Sequence, residues 1–157
     1  GRLSLQQMRD RYPGLVEKLS SHPAIGLVAA RDNRGIFLIG KDGWRILDAQ
    51  GGRVDGAGLD PLASYADDRL DSRALAAQIR TYLKVQESGD LEVFAPYIDG
   101  RTVDFNHSYT LASEHGGLGG EQTHPFIMFD PARTPVQPER IKDARDLYWI
   151  FKSLRGA

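Results

Sequence analysis

The chain contains no cysteine. Disulfides, thiolate catalysis and cysteine-ligated zinc are therefore excluded, while the compartment stays open because secreted proteins need not carry bridges. A charge excess is missing as well: 20 Lys and Arg stand against 21 Asp and Glu, for a formal charge of −1. No nucleic-acid partner is expected from this balance, since phosphate backbones recruit a basic excess or stripe. Long apolar runs are absent too. None approaches the roughly 20 residues that span a bilayer, and residues 1–20 are too charged to read as a signal peptide. There are no repeats and no low-complexity tracts. At 157 residues the chain suits one soluble domain with a single core, or a piece of a longer protein.

What is present begins with "SLQQ" at residues 4–7, a capping box in which Ser4 and Gln7 satisfy each other's backbone. Leu5, Met8 and Tyr12 follow at helical spacing. Pro13 breaks that helix or opens another, and Leu15, Val16 and Leu19 mark a second apolar face. Residues 4–20 thus read as helix, bend, short helix. The next 30 or so residues alternate β-forming runs with "DNRG" and "KDG", and Asp-Gly between apolar runs is a strong hairpin signal. They predict a three-stranded antiparallel meander over 25–49, ending in a glycine-rich loop at 51–58. "DPL" at 60–62 reads as a turn that anchors a loop onto the core.

Residues 69–87 are expected to be helical, with Leu70, Leu75, Ile79, Tyr82 and Leu83 on the apolar face and Ser88-Gly89 as the stop. "DLEVFA" reads as a short strand buried in a sheet. "PYIDGRTVDFNHSYT" reads as an irregular surface excursion, with Asp99 and Asp104, like Asp130 further on, as solvated loop carboxylates. "HPFIMF" at 124–129 reads as a buried strand. Prolines at 125, 131, 135 and 138 delay the chain before a last helix bearing Ile141, Ala144, Leu147, Tyr148, Phe151 and Leu154. Strands and helices in mixed order mean α/β, or α+β as the alternative, with a mixed sheet, an antiparallel meander and flanking helices in one unit over 1–157.

Four histidines carry the candidate chemistry. His22, between a helix end and a strand, reads as a surface or capping group. His107 has Asp104 three residues earlier, a polar loop or a small metal-binding pair. His124, before Pro125, reads as a packing residue. His115 differs because four glycines fall in the next five positions: Gly116, Gly117, Gly119 and Gly120. A neutral imidazole is a good zinc ligand when a fixed backbone aims it, and glycine lets a chain turn away without a β-carbon crowding a metal or phosphate. A plain glycine turn explains the same composition. One histidine is no metal site, since zinc takes at least three protein ligands. "GGLGG" lacks the lysine and hydroxyl of a phosphate loop and precedes a strand rather than a helix. No G-x-S-x-G elbow is present.

"SEHGGLGGEQTHPFIMFD" at 113–130 resembles the C-terminal metal-ligand segment of the alkaline phosphatase superfamily, in particular the type I phosphodiesterase/nucleotide pyrophosphatase branch. "RYPGLVEKLSSHPAIGLVAAR", "GIFLIGKDGWRILD", "DPL" and the final "DARDLYWIFKSL" are similar to the C-terminal portion of a bacterial group of such hydrolases, some of them fused to membrane segments. The likeness covers most of the chain, and "HGGLGG-x-QT-x-PF" is its most specific piece. It implies that His115 ligates one of two divalent metals, usually zinc, at the carboxyl ends of a parallel sheet. There the metals activate a serine or threonine nucleophile against a phosphate ester. Gly116, Gly117, Gly119 and Gly120 then form a loop beside the substrate. The Asp-x-x-x-His and Asp-His ligand pairs and the nucleophile of that pattern are missing from 1–157, so the resemblance implies a C-terminal part, inactive alone, of a longer and sometimes membrane-fused parent. A second reading is an autonomous, non-catalytic binding or regulatory module built on the meander. Either way a cut sheet exposes an edge, which invites homo-oligomers.

Overall fold

The computed structural model describes residues 1–48, 52–103, 105, 117–130, 132, 137, 139, 141 and 144–155. The sequence reads as one unit; the backbone divides into two compact units, Gly1–His124 and Pro125–Ala157.

In the first unit, α1 (Leu5–Arg11) and α2 (Leu15–Ser21) follow the expected helix-bend-helix course. The capping box is formed on both sides. The Gln7 amide donates to Ser4 Oγ at 3.2 Å, and the Ser4 amide donates to Gln7 Oε1 at 2.8 Å. Four strands then run as an antiparallel meander: β1 (Leu27–Asp32), β2 (Gly35–Ile39), β3 (Gly43–Leu47) and β4 (Arg53–Gly58). β4 corrects the expected glycine loop at 51–58. Glycine is a poor strand former, yet Gly56 pairs with Arg45 and Gly58 with Gly43 because β3 offers an open edge.

After the turn at 60–62 comes α3 (Ser72–Leu83), whose N-cap Asp71 accepts from the Ala74 amide at 2.7 Å. The helix is shorter at both ends than expected. Leu70 precedes the cap, and Ser88 sits beyond the end, where its hydroxyl donates to the Leu83 carbonyl at 3.1 Å. β5 (Leu91–Phe94) pairs antiparallel with β1 and closes the sheet order β4-β3-β2-β1-β5. It is therefore an edge strand, partly buried throughout, where a fully buried one was expected. Every described pairing is antiparallel, so helices packed on this sheet make the α+β form of the expected fold class.

Alternation along the strands gives the sheet two apolar faces, and both are covered. Leu27, Ala29, Leu38 and Leu47 join Leu62, Tyr65 and the α3 residues Leu75, Ala76, Ile79 and Leu83. Ala30, Phe37 and Ile46 meet Leu5 of α1 and Val16 of α2 on the other side. Arg45 of β3 is the buried exception, only 5% exposed, and its Nη1 pairs with Asp60 Oδ2 at 2.8 Å. The same Asp60 accepts from the Leu62 amide at 3.0 Å, so the "DPL" turn is pinned by a charge and buries Leu62 completely.

The surface excursion after β5 contains a small hairpin, β6 (Tyr97–Ile98) and β7 (Arg101–Thr102). Its turn residues Asp99 and Gly100 both have positive φ, 50° and 79°, as a two-residue type I′ turn requires. In the second unit α4 (Ala144–Leu154) forms as expected but buries none of its described residues. "HPFIMF" is not a strand: Phe126 and Met128 are 88% and 86% exposed, and no described strand pairs with them. Apolar composition alone does not make a strand where no neighbour supplies the ladder, and Pro125 can donate nothing to one.

Leu38 has no exposed surface and lies in the middle of the larger cluster. Leu38→Ala is expected to destabilise the chain by about 3 kcal/mol through lost burial and the cavity left behind, measured as a shift in urea midpoint at unchanged slope.

Candidate functional site

His115 and Gly116 lie outside the described residues, as do His107 and Asp104. The candidate segment is described from Gly117 onward, and its portion through His124 belongs to the first unit, where it is fastened residue by residue. Leu118 packs against the larger core cluster. Gly119 and Gly120 both adopt left-handed backbone, with φ of 76° and 71°. A β-carbon on Gly119 would sit 3.0 Å from the Tyr65 carbonyl oxygen, and one on Gly120 would sit 2.5 Å from the Tyr97 ring. Both the dihedral and the space demand glycine here. The turn then closes on itself. The Thr123 amide and hydroxyl donate to the Gly120 carbonyl at 3.0 and 2.7 Å, and Gln122 Nε2 donates to the Gly119 carbonyl at 3.1 Å.

The tyrosines beneath the turn are themselves placed by the fold. Tyr65 is fully buried, and its hydroxyl donates to the Ala95 carbonyl at 2.9 Å, just past β5. Burial pushes its phenol well above the ordinary tyrosine range, so it remains a neutral donor. Tyr97 comes from β6. A cleft of about 280 Å³ opens between these elements, lined by Tyr65, Asp67, Asp68, Arg69, Tyr97 and His124 among others.

His124, expected as a packing residue, instead donates from Nε2 to Asp67 Oδ2 at 2.7 Å, with its side chain 16% exposed. Asp67 is held before the histidine reaches it. Its Oδ1 accepts from the Arg69 and Leu70 amides at 2.8 and 2.7 Å. The hydrogen bond from His124, then those from the two amides, hold the Asp67 carboxyl down at about 2. The partners are 57 residues apart, and nothing in the local pattern of either one marks the other. His22 is the exposed capping group expected of it: its amide closes α2 onto the Leu19 carbonyl, and its Nδ1 accepts from the Ala24 amide at 3.1 Å. Asp130 Oδ1 accepts from the Ala132 amide at 2.9 Å.

Among the described residues no three His, Asp or Glu side chains converge to hold a metal. Nor, among them, is any helix long and apolar enough to cross a membrane. No family model, curated protein or solved structure matches this chain.

Gly120→Ala combines a disfavoured dihedral with a collision against Tyr97. It is expected to cost on the order of 2 kcal/mol, read by urea unfolding, with Gly100→Ala at the open β6–β7 turn as the dihedral-only comparison. Asp67 carries a pH signature of its own. Because its folded carboxyl titrates below the ordinary value of about 3.9, the stability it contributes is complete above that value and is lost as pH falls toward 2. The stability difference between wild type and Asp67→Asn should therefore shrink as pH falls below about 4. Unfolding measured across that range checks it.

Proposed function

We propose that residues 1–157 form the C-terminal part of a metal-dependent phosphoric ester hydrolase of the phosphodiesterase/nucleotide pyrophosphatase type, with His115 as one metal ligand and the remaining ligands and the nucleophile upstream of Gly1. The observation that carries this reading is the segment "HGGLGGEQTHPF". Its resemblance to that branch falls on residues where a side chain is costly: Gly119 and Gly120 are left-handed and pressed against Tyr65 and Tyr97. A backbone held in this way, four residues after a histidine, is suited to aiming an imidazole. The exposed Phe126 and Met128 support the same reading, because a buried-type sequence without cover fits a sheet that continues in another part of the protein.

When bound, divalent metals supply Lewis-acid activation and neutralise the charge of phosphoryl transfer. The described residues do not amount to a donor set for one. In this reading the chain presents His115 and shapes the loop beside it through Gly116, Gly117, Gly119 and Gly120. The substrate class is a phosphate ester, and the cofactor zinc or another divalent ion held by the longer protein. A membrane segment in that protein belongs to the same proposal.

A non-catalytic binding module is the second reading, favoured by one observation: the first unit covers both faces of its own sheet. Zinc titration of residues 1–157 separates the two from a third case. Tight stoichiometric uptake would mean a complete local site and would oppose the fragment reading.

In the longer protein, His115→Ala is expected to lower both zinc content and hydrolysis of bis(p-nitrophenyl) phosphate. The loss should be on the order of 100-fold in turnover or more, since even outer ligand partners cost 10–100-fold. Unchanged zinc and turnover would remove His115 from the site.

A further inference from the structure

The pair between His124 and Asp67 occupies a different position from the rest of the segment. His124 falls on an unspecified place of the "HGGLGG-x-QT-x-PF" pattern, and a hydrogen bond to a carboxylate is more than a packing residue needs. Segment 117–124 meets the first unit in two ways. At its start Leu118 is held by apolar contact, and the two glycines lie against Tyr65 and Tyr97. At its end the Gln122 and Thr123 bonds turn back onto the segment itself, and His124 makes the side-chain bond outward, to Asp67.

Asp67 is a rigid anchor. Its carboxylate is fixed by the Arg69 and Leu70 amides, its own amide donates to the Leu70 carbonyl at 3.1 Å, and Leu70 packs on the core. The far end of the segment is thus tied to the core through one imidazole. We infer that His124 and Asp67 form a proton-controlled clasp: with the imidazole protonated the segment's end is fastened by an ion pair as well as a hydrogen bond, and with it neutral the hydrogen bond to the carboxylate stays but the ion pair is lost, so the contact opens more often.

The physical basis is the difference between the two states of the contact. A hydrogen bond to a carboxylate is charge-assisted with or without a proton on the imidazole, so the proton adds the Coulombic attraction of an ion pair, modest where solvent reaches it. Imidazole is the side chain whose charge ordinarily changes between pH 5 and 8. The Asp67 carboxyl, held near 2, stays ionised throughout that window. The charged and titratable groups lining the cleft with His124 are Asp67, Asp68 and Arg69 of the 67–70 turn, Tyr97 of β6 and Tyr65, whose phenol burial keeps neutral. The imidazole is the group whose charge change the clasp uses. The inference goes beyond the hydrolase reading and stands whether or not that reading holds.

Hydrogen exchange of the Thr123 amide tests it, because that amide is bonded inside the turn to Gly120 and sits next to the clasp. In residues 1–157, after correction for the intrinsic chemistry, protection should fall roughly two- to fivefold between pH 5 and pH 8, the loss of a partly exposed ion pair. H124Q keeps an N–H donor but cannot gain a charge. It should show no step and match the wild-type level at pH 8. D67N should likewise be flat. The β1 amides of Val28 and Ala30 report whether each variant is folded and should not change. A step of equal size in H124Q, or a flat profile in the wild type with the core intact, would overturn the clasp.

Discussion

The constraint on which this structure depends is that its sheet is apolar on both faces. In β1, Leu27, Val28, Ala29 and Ala30 have no exposed surface at all. Successive side chains on a strand point to opposite sides, so such a run cannot face water on either. One layer of helix would leave half of it bare. The chain meets the demand from two directions: α1 and α2 cover the side of Ala30, Phe37 and Ile46, while α3 and the 60–66 segment cover the side of Leu27, Leu38 and Leu47. At roughly 25 cal/mol per Å² of apolar surface buried, that double cover outweighs any single polar contact in the molecule.

The candidate segment depends on the second of these layers. Tyr65 belongs to the α3-side cluster and supplies the surface against which Gly119 lies. Its hydroxyl reaches the chain just beyond β5. The 67–70 turn that holds Asp67 leads directly into α3 and packs through Leu70. Burial of an ordinary core thus sets the position of every described group that touches the glycine turn. Arg45 and Asp60 serve the same layer at its other end. Removing one partner of such a pair costs more than the pair contributes, because a charge is left buried.

Local signals and their local consequences agree closely. The Ser4–Gln7 capping box, the break at Pro13, the α3 face at Leu75, Ile79 and Leu83, and the antiparallel meander were all legible, because each is decided by neighbours within a few residues. Asp99-Gly100 was equally legible by the hairpin rule that identified "KDG", and the polar context around it hid it. The readings that changed share one cause. Gly56 and Gly58 are strand residues because β3 has an edge to offer, β5 is at an edge because β1 has a side left open, and 124–129 is no strand because no described neighbour pairs with it.

The amino-acid order by itself determined the Ser4–Gln7 cap, the alternation that makes the sheet two-faced, and the concentration of glycine after His115. Each is a matter of dihedral preference or spacing along one stretch of chain. Only the tertiary structure decided which strand is central, that Gly119 and Gly120 press on Tyr65 and Tyr97, and that His124 donates to Asp67. Those contacts join residues dozens of positions apart. What brings them together is the packing of apolar surface elsewhere, which no local pattern in either partner records.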